Sequence, residues 1–236
     1  MSKDTILHPI KSFFKYLSFN FQYELMLLSF RGKTRKEVFN DIYYRNRWGD
    51  RESISGRGSN LRQTLVIIKK LPVLLEKFHV QTMLDAPCGD FNWLKEAQLN
   101  LERYIGCDIV ADLITDNQRR YGNEVRDFSN LDLATDVLPQ VDLIFCRDCL
   151  VHLSFKDALA VIKNFKQSNA QYLLTTTYPG ILKNQDIVTG DWRAIDLQLP
   201  PYNFPDMLEI IDEETTERQD YKQKSLGLWK LSDIEV

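Results

Sequence analysis

A chain of 236 residues, 44% of them hydrophobic, has the material for one sizeable folded domain with a terminal extension, which excludes disorder for the bulk of it. Its net charge of −3 argues against a protein built mainly to hold a phosphate backbone, so no nucleic-acid partner is expected. No run reaches the ~20 apolar residues of a membrane span. The aromatic N-terminal stretch, broken by Lys15, Asn20, Gln22 and Glu24, does not read as a signal peptide, so a cytoplasmic location is expected.

Residues 9–30 carry Ile10, Phe13, Phe14, Leu17, Phe21, Leu25 and Leu28 at helical spacing. Residues 1–51 hold 10 Lys or Arg against 5 Asp or Glu, although the chain as a whole is acidic. Such a helix either touches a membrane surface or a partner weakly, or covers the substrate side of the core. The second reading is favoured because the basic residues cluster mostly after Phe30. His8 and His79 lack an acidic neighbourhood and read as structural. A second helix is expected over Thr34–Asn46. The loop that follows combines Trp48, Gly56, Arg57 and Gly58. It either folds over a ligand, with Arg57 available to a carboxylate or phosphate, or is a linker whose Ser59 or Asn60 caps the next helix. That helix is expected over Leu61–Phe78, restarted by Pro72.

From Gln81 the sequence alternates strand and helix. Strands are expected at Met83–Asp85, Arg103–Cys107, Glu124–Arg126, Val141–Cys146 and Tyr172–Thr177. Helices are expected at Phe91–Ala97, Val110–Tyr121 and from Leu153-Ser154 to Gln167, with Ser154 as cap. This order predicts a Rossmann-like α/β fold, a seven-stranded mostly parallel sheet with helices on both faces and an N-terminal helical extension. Leu208–Ile211 and Leu226–Leu231 supply a closing antiparallel pair. Residues 1–60 read as a helical cap and ligand-covering loop, and 61–236 as the sheet domain. Within it, 179–205 is an irregular insertion holding four of the eight prolines, too long for a plain connection.

The four cysteines, Cys88, Cys107, Cys146 and Cys149, include one CxxC pair, but no second pair or histidine pair completes a zinc site, so no metal is expected. Three acids mark strand ends: Asp85, Asp108 (23 residues on) and Asp127 (19 further). An acid about 20 residues past the first turn can accept hydrogen bonds from both hydroxyls of a ribose.

In these motifs the chain resembles the class I, Rossmann-like S-adenosylmethionine-dependent methyltransferases. LDAPCGDFNWL is similar to the family's first motif, YIGCDI to its second, EVRDF to its third and VDLIFCRDCLVHL to its fourth. The resemblance covers roughly Gln81–Tyr178. It implies S-adenosyl-L-methionine as cofactor, held by Asp85, Ala86, Cys88, Gly89, Asp108, Ile109, Asp127, Phe128 and Arg147. Asp108 would take the ribose, Asp127 the adenine amino group and Phe128 the base, while Cys146–Asp148 would pass the methionine part. Where the family has three glycines only Gly89 remains. Pro87 and Phe91 replace the others, and Phe91 is expected to block the closest backbone approach.

Asp148 and His152 follow strand four, where the methyl group would sit; either is a candidate base, or both are structural. Candidates for holding a small-molecule acceptor are Trp48, Arg57, Trp93, Tyr178, Trp192 and Arg193, with Asp191, Tyr202 and Asn203 in the same insertion. A sugar, glycan or natural-product precursor is the expected acceptor class. The competing readings are an NAD(P)-dependent reductase, disfavoured by the missing glycines, and a non-catalytic binding protein.

Overall fold

The computed structural model describes residues 21–217 and 222–236; the upstream half of the expected 9–30 helix, and His8, lie outside the described residues. Seven strands form one sheet in the order β3-β2-β1-β4-β5-β7-β6. They are β1 (Thr82–Asp85), β2 (Arg103–Asp108), β3 (Arg126–Asn130), β4 (Leu143–Cys146), β5 (Tyr172–Thr177), β6 (Glu209–Asp212) and β7 (Ser225–Lys230). The first five pair in parallel, whereas β7 runs antiparallel to β5 and to β6. The expected architecture and the closing antiparallel pair are therefore both present. Strand order reverses between β1 and β4, so a crevice opens beyond their C-terminal ends.

The helices are α1 (residues 21–30), α2 (Arg35–Tyr44), α3 (Leu61–Lys77), α4 (Ala111–Tyr121) and α5 (Phe155–Gln167). Alternation along the strands sends Met83, Leu143 and Phe145 to one face, under Ile67, Leu71 and Leu74 of α3 and Ile114 of α4. Leu84, Ile144 and Cys146 face the other way, under Val161, Ile162 and Phe165 of α5. Capping follows the sequence. Thr34 and Glu37 make a reciprocal capping box on α2, Asn60 accepts from Gln63 N, and Ser154 accepts from Asp157 N.

Three boundaries differ from expectation. Helix α3 runs unbroken through Pro72, because the burial of Ile67, Leu71, Leu74 and Leu75 outweighs one lost backbone bond. No α-helix follows the first turn; there is only a single 3-10 turn, Leu94–Glu96. Phe91 sits at φ 55°, in the left-handed region, which stops a helix from starting there. Finally, β3 starts later than expected. The Asn123 side chain accepts from Val125 N and Arg126 N, holding this stretch in a turn, and pairing with β2 begins at Arg126 opposite Tyr104. Asp127 therefore lies inside β3 rather than at its end.

Candidate functional site

A cavity of about 920 Å³ opens at the C-terminal ends of β1, β2 and β4. Its floor is the β1 turn. Asp85, nearly buried, accepts the Tyr104 hydroxyl at 2.6 Å. Burial, with the nearby Asp108 charge adding to it, pushes the Asp85 carboxyl up to about 7 despite that bond. Cys88 N donates to Cys107 O at 2.8 Å, and the Asn117 amide donates to Gly89 O at 2.7 Å, fixing the turn to β2 and α4. Gly89 has φ 54° and lies against the Ser55 side chain, so both conformation and space favour glycine here. Asp108 closes the second corner. Its carboxylate accepts from Val110 N at 3.0 Å, and burial raises it to about 6 against the neighbouring backbone N–H groups. The thiols of Cys88, Cys107 and Cys149 are pushed well up, the first two mainly by burial and Cys149 first by Cys146, and no metal-holding cluster exists among the described residues.

The loop between α2 and α3 closes over this turn. Asp90 accepts from Ile54 N and from the Ser53 hydroxyl, each at 3.0 Å. On the β4 side Arg147 donates to Gly58 O at 2.9 Å. One carboxylate and one guanidinium thus tie the same loop to two strand ends. Arg35 of α2 reaches Asp132, just after β3, and Asp157 of α5, joining α2 to the β3 end and to α5.

Beside Arg147 lies a buried charge quartet. Arg147 grips Glu213 with two bonds of 3.1 and 2.8 Å. Lys224 is 2.6 Å from Asp148 and 3.3 Å from Glu213. Burial alone would raise the Asp148 carboxyl, but Lys224 and Arg147 outweigh it and hold it far below the ordinary carboxylate range. His152 is different. Its Nδ1 lies 2.8 Å from the Asp191 carbonyl oxygen, which has only lone pairs to offer, so Nδ1 carries the proton and Nε2 does not. Its ring lies 5.0 Å from that of Trp48. Burial lowers its pKa, against the pull of the Asp191 carbonyl and Asp148, and keeps the imidazole neutral near pH 7.

Most of the sequence-derived residues meet here: Asp85, Cys88, Gly89, Asp108, Ile109, Arg147, Asp148, His152, Trp48, Arg57, Trp93, Tyr178 and Trp192 all line the cavity, as does Asp191. Five do not. Ala86 is fully buried in the core behind the turn. Asp127 is exposed inside β3, and Phe128 packs against Phe91 and Tyr104; Leu131, Asp132 and Leu133 occupy the cavity edge instead. Arg193 is buried away from the cavity, donating to Leu150 O at 2.9 Å and the Tyr202 hydroxyl at 2.8 Å. Tyr202 itself is buried, and Asn203 lies off the cavity wall. The side chain of Phe91 does not obstruct the turn either: it is buried among Tyr104, Tyr121 and Phe128 on the far side.

Sequence reasoning missed Glu213, Lys224 and the tethering role of Asp90. The signal for the first two was faint: an acid directly after β6 and a lysine directly before β7, flanking a closing pair whose inner ends reach the cavity.

No protein-family model matches the sequence, and no curated protein matches it at a significant level. Solved structures do. The N-methyltransferase NodS from Bradyrhizobium japonicum WM9, solved with S-adenosyl-L-homocysteine, superposes with a TM-score of 0.57 at 14% identity, over 80% of this chain and 97% of that one. Magnesium protoporphyrin IX methyltransferase (ChlM) from Synechocystis PCC 6803, with bound S-adenosylmethionine, gives 0.51 at 15% identity, over 84% and 97%. An S-adenosylmethionine-dependent methyltransferase from Clostridium acetobutylicum ATCC 824 gives 0.50 at 13% identity, over 72% and 92%. With the β7 reversal and the acid at the end of β2, these likenesses give the chain the Rossmann-like fold of the class I S-adenosylmethionine-dependent methyltransferases.

Proposed function

We propose that the protein transfers a methyl group from S-adenosylmethionine to a small-molecule acceptor. The observation that carries this reading is Asp108: a buried carboxylate at the end of β2, on the cavity edge, set to accept both hydroxyls of a ribose. Neighbours of the same fold were solved with S-adenosylmethionine or its demethylated product in place. At about 920 Å³ the cavity lies near the top of the usual range for ligand sites, so a cofactor and an acceptor can share it. Calorimetry with S-adenosyl-L-homocysteine and with NAD(P) tests the cofactor. Binding of the dinucleotide with no response to S-adenosylhomocysteine would overturn the reading. A product-mass screen against sugars and other hydroxylated small molecules then identifies the acceptor.

The cofactor supplies an electrophilic methyl group on positively charged sulfur; the chain's part is to align an acceptor with it and to take a proton. Asp108 and Ile109 are assigned to the adenosine, with Leu131, Asp132 and Leu133 in the role that the family resemblance implies for Asp127 and Phe128. Asp85, Gly89 and Arg147 face the amino-acid end. Trp48, Trp93, Tyr178 and Trp192 supply acceptor walls. The loop 48–60 acts as the cover and 179–205 as the substrate-side insertion. Of the two candidate bases, His152 is the better fit. A base works best with a pKa near the working pH, and Asp148 is held too far below it by Lys224 and Arg147. Nε2 of His152 has no hydrogen-bond partner among the described residues and is free to take a proton. Segment 179–205 holds this residue: Asp191 O meets its Nδ1, while Gly190 N donates to His152 O and Arg193 N to Val151 O along the main chain. Converting His152 to Ala should lower turnover of an oxygen acceptor about 10²-fold, the low end for general-base catalysis because alignment does most of the work. Its affinity for S-adenosylhomocysteine should change less than twofold. Unchanged turnover would retire His152 as base.

Proton linkage gives a second expectation. Asp108 accepts charge-assisted hydrogen bonds from both ribose hydroxyls only when it is ionised, and its pKa of about 6 is raised above the ordinary value by burial. Affinity for S-adenosylhomocysteine should therefore be full above pH 7 and fall as pH drops through 6. At pH 5 it should be roughly tenfold weaker than at pH 8, since only about one molecule in ten is then ionised. Calorimetry across that range checks it; a flat profile would remove Asp108 from the contact.

A further inference from the structure

Helix α1 is apolar on two opposite sides. At 100° per residue, Tyr23, Met26, Leu27 and Phe30 share one face, and there Phe30 is buried with Met26 and Leu27 against it, while Tyr23 donates to the Asp191 carboxylate. Phe21, Leu25 and Leu28 share the opposite face, within a 60° arc, and are 65%, 49% and 52% exposed. An apolar stripe of this kind, set apart from the cavity, has no use in the methyl-transfer reading and does not depend on it. The residues beyond its C-terminal end are basic and exposed: Arg31, Lys33 and Lys36. In the sequence the same spacing runs back through Leu17, Phe14 and Ile10, with Lys11 and Lys15 beside them; these lie outside the described residues.

We propose that this face of α1 docks on an anionic lipid surface. Charge decides among the possible occupants. Residues 1–51 carry five more basic than acidic residues in a chain of net charge −3. A second copy would bring two sets of Arg31, Lys33 and Lys36 together, and residues 1–20, with three lysines against one acid, would add cations to the same end on folding back. An anionic surface instead gains from the exposed Arg31, Lys33 and Lys36, which outweigh Glu24 on the helix itself, while the apolar stripe enters the headgroup boundary; Arg35, Arg45 and Arg47 are already paired with acids. No described helix is long and apolar enough to cross a membrane. The inner face of the same helix lines the cavity through Tyr23 and Met26, which makes α1 a wall shared by the lipid surface and the site.

The test is flotation of the full chain with vesicles of phosphatidylglycerol and phosphatidylcholine (3:7), and with phosphatidylcholine alone. Binding is expected to the anionic vesicles, at least tenfold weaker to the neutral ones, and to fall as salt rises from 0.05 to 0.5 M (about). The double variant Leu25→Glu, Leu28→Glu, both outside the cavity, should lose at least tenfold of that binding with its melting temperature preserved. Three results would overturn the proposal: no binding of the wild-type chain to anionic vesicles, binding undiminished in the double variant, or a dimer on sizing that the double variant splits. None of these reads cofactor binding, so a failure here leaves the methyl-transfer reading where it stands, and the reverse.

Discussion

Replacing Asp108 with alanine should abolish measurable binding of S-adenosyl-L-homocysteine while leaving the protein folded. Two hydrogen bonds from ribose hydroxyls to a carboxylate contribute about 1.5–3 kcal/mol each, so the loss corresponds to roughly 10²- to 10⁴-fold in affinity. The fold should tolerate the change. In the free protein Asp108 is raised to about 6 by burial, which means that holding it ionised near pH 7 costs stability rather than adding to it. The melting temperature of the variant should therefore be equal to or above that of wild type. This pairing of lost affinity with retained stability separates a binding residue from a structural one. Isothermal titration and a melting curve on the same sample read both. Retained affinity would mean that the nucleoside lies elsewhere in the cavity.

Asp108 was legible in the sequence because the physics behind it is local. A short apolar strand, an acid at its end and a spacing of one βα unit are written in consecutive letters, and β2 ends on Asp108 as expected. Asp127, 19 residues further on, does not end its strand, because β3 is an edge strand whose onset is set by a side chain. Asn123 holds Val125 and Arg126 in a turn, which slides the strand onset and leaves Asp127 opposite Ile105, well short of the strand end. The first turn shows the same division. Its strand and Gly89 could be read, whereas the fate of Phe91 could not: a φ of 55° and a pocket of Tyr104, Tyr121 and Phe128 turn its ring away from the ligand side. Arg193, expected beside Trp192 as an acceptor contact, does not reach the cavity. Here it is buried, bracing Leu150 O and the Tyr202 hydroxyl. Long-range ion pairs leave the weakest trace. Arg147 and Glu213 are 66 residues apart, and nothing in the spacing joins them.

That unreadable pair carries the largest expected effect on stability. Arg147, Asp148, Glu213 and Lys224 form a neutral set of two cations and two anions, with Arg147, Glu213 and Lys224 all buried. Glu213→Ala leaves two buried cations facing one carboxylate. Removing one partner from a buried pair costs about 3–5 kcal/mol, because the remaining charge is neither solvated nor matched. For a chain of this length each kcal/mol moves the melting temperature by about 2–4 °C, so a drop on the order of 10 °C is expected. Removing both signs should cost less. In the double variant Glu213→Leu, Lys224→Met the remaining Arg147 and Asp148 still balance, 3.3 Å apart, and apolar side chains fill the space, so the melting temperature should recover most of the loss. The single variant should also bind S-adenosylhomocysteine less tightly, since Arg147 holds the cover loop through Gly58 O and loses its bidentate anchor. Calorimetric melting of the single and double variants decides it. A single variant melting within about 2 °C of wild type would mean that water reaches the quartet, and would remove the rigid frame on which the position of the cover loop depends.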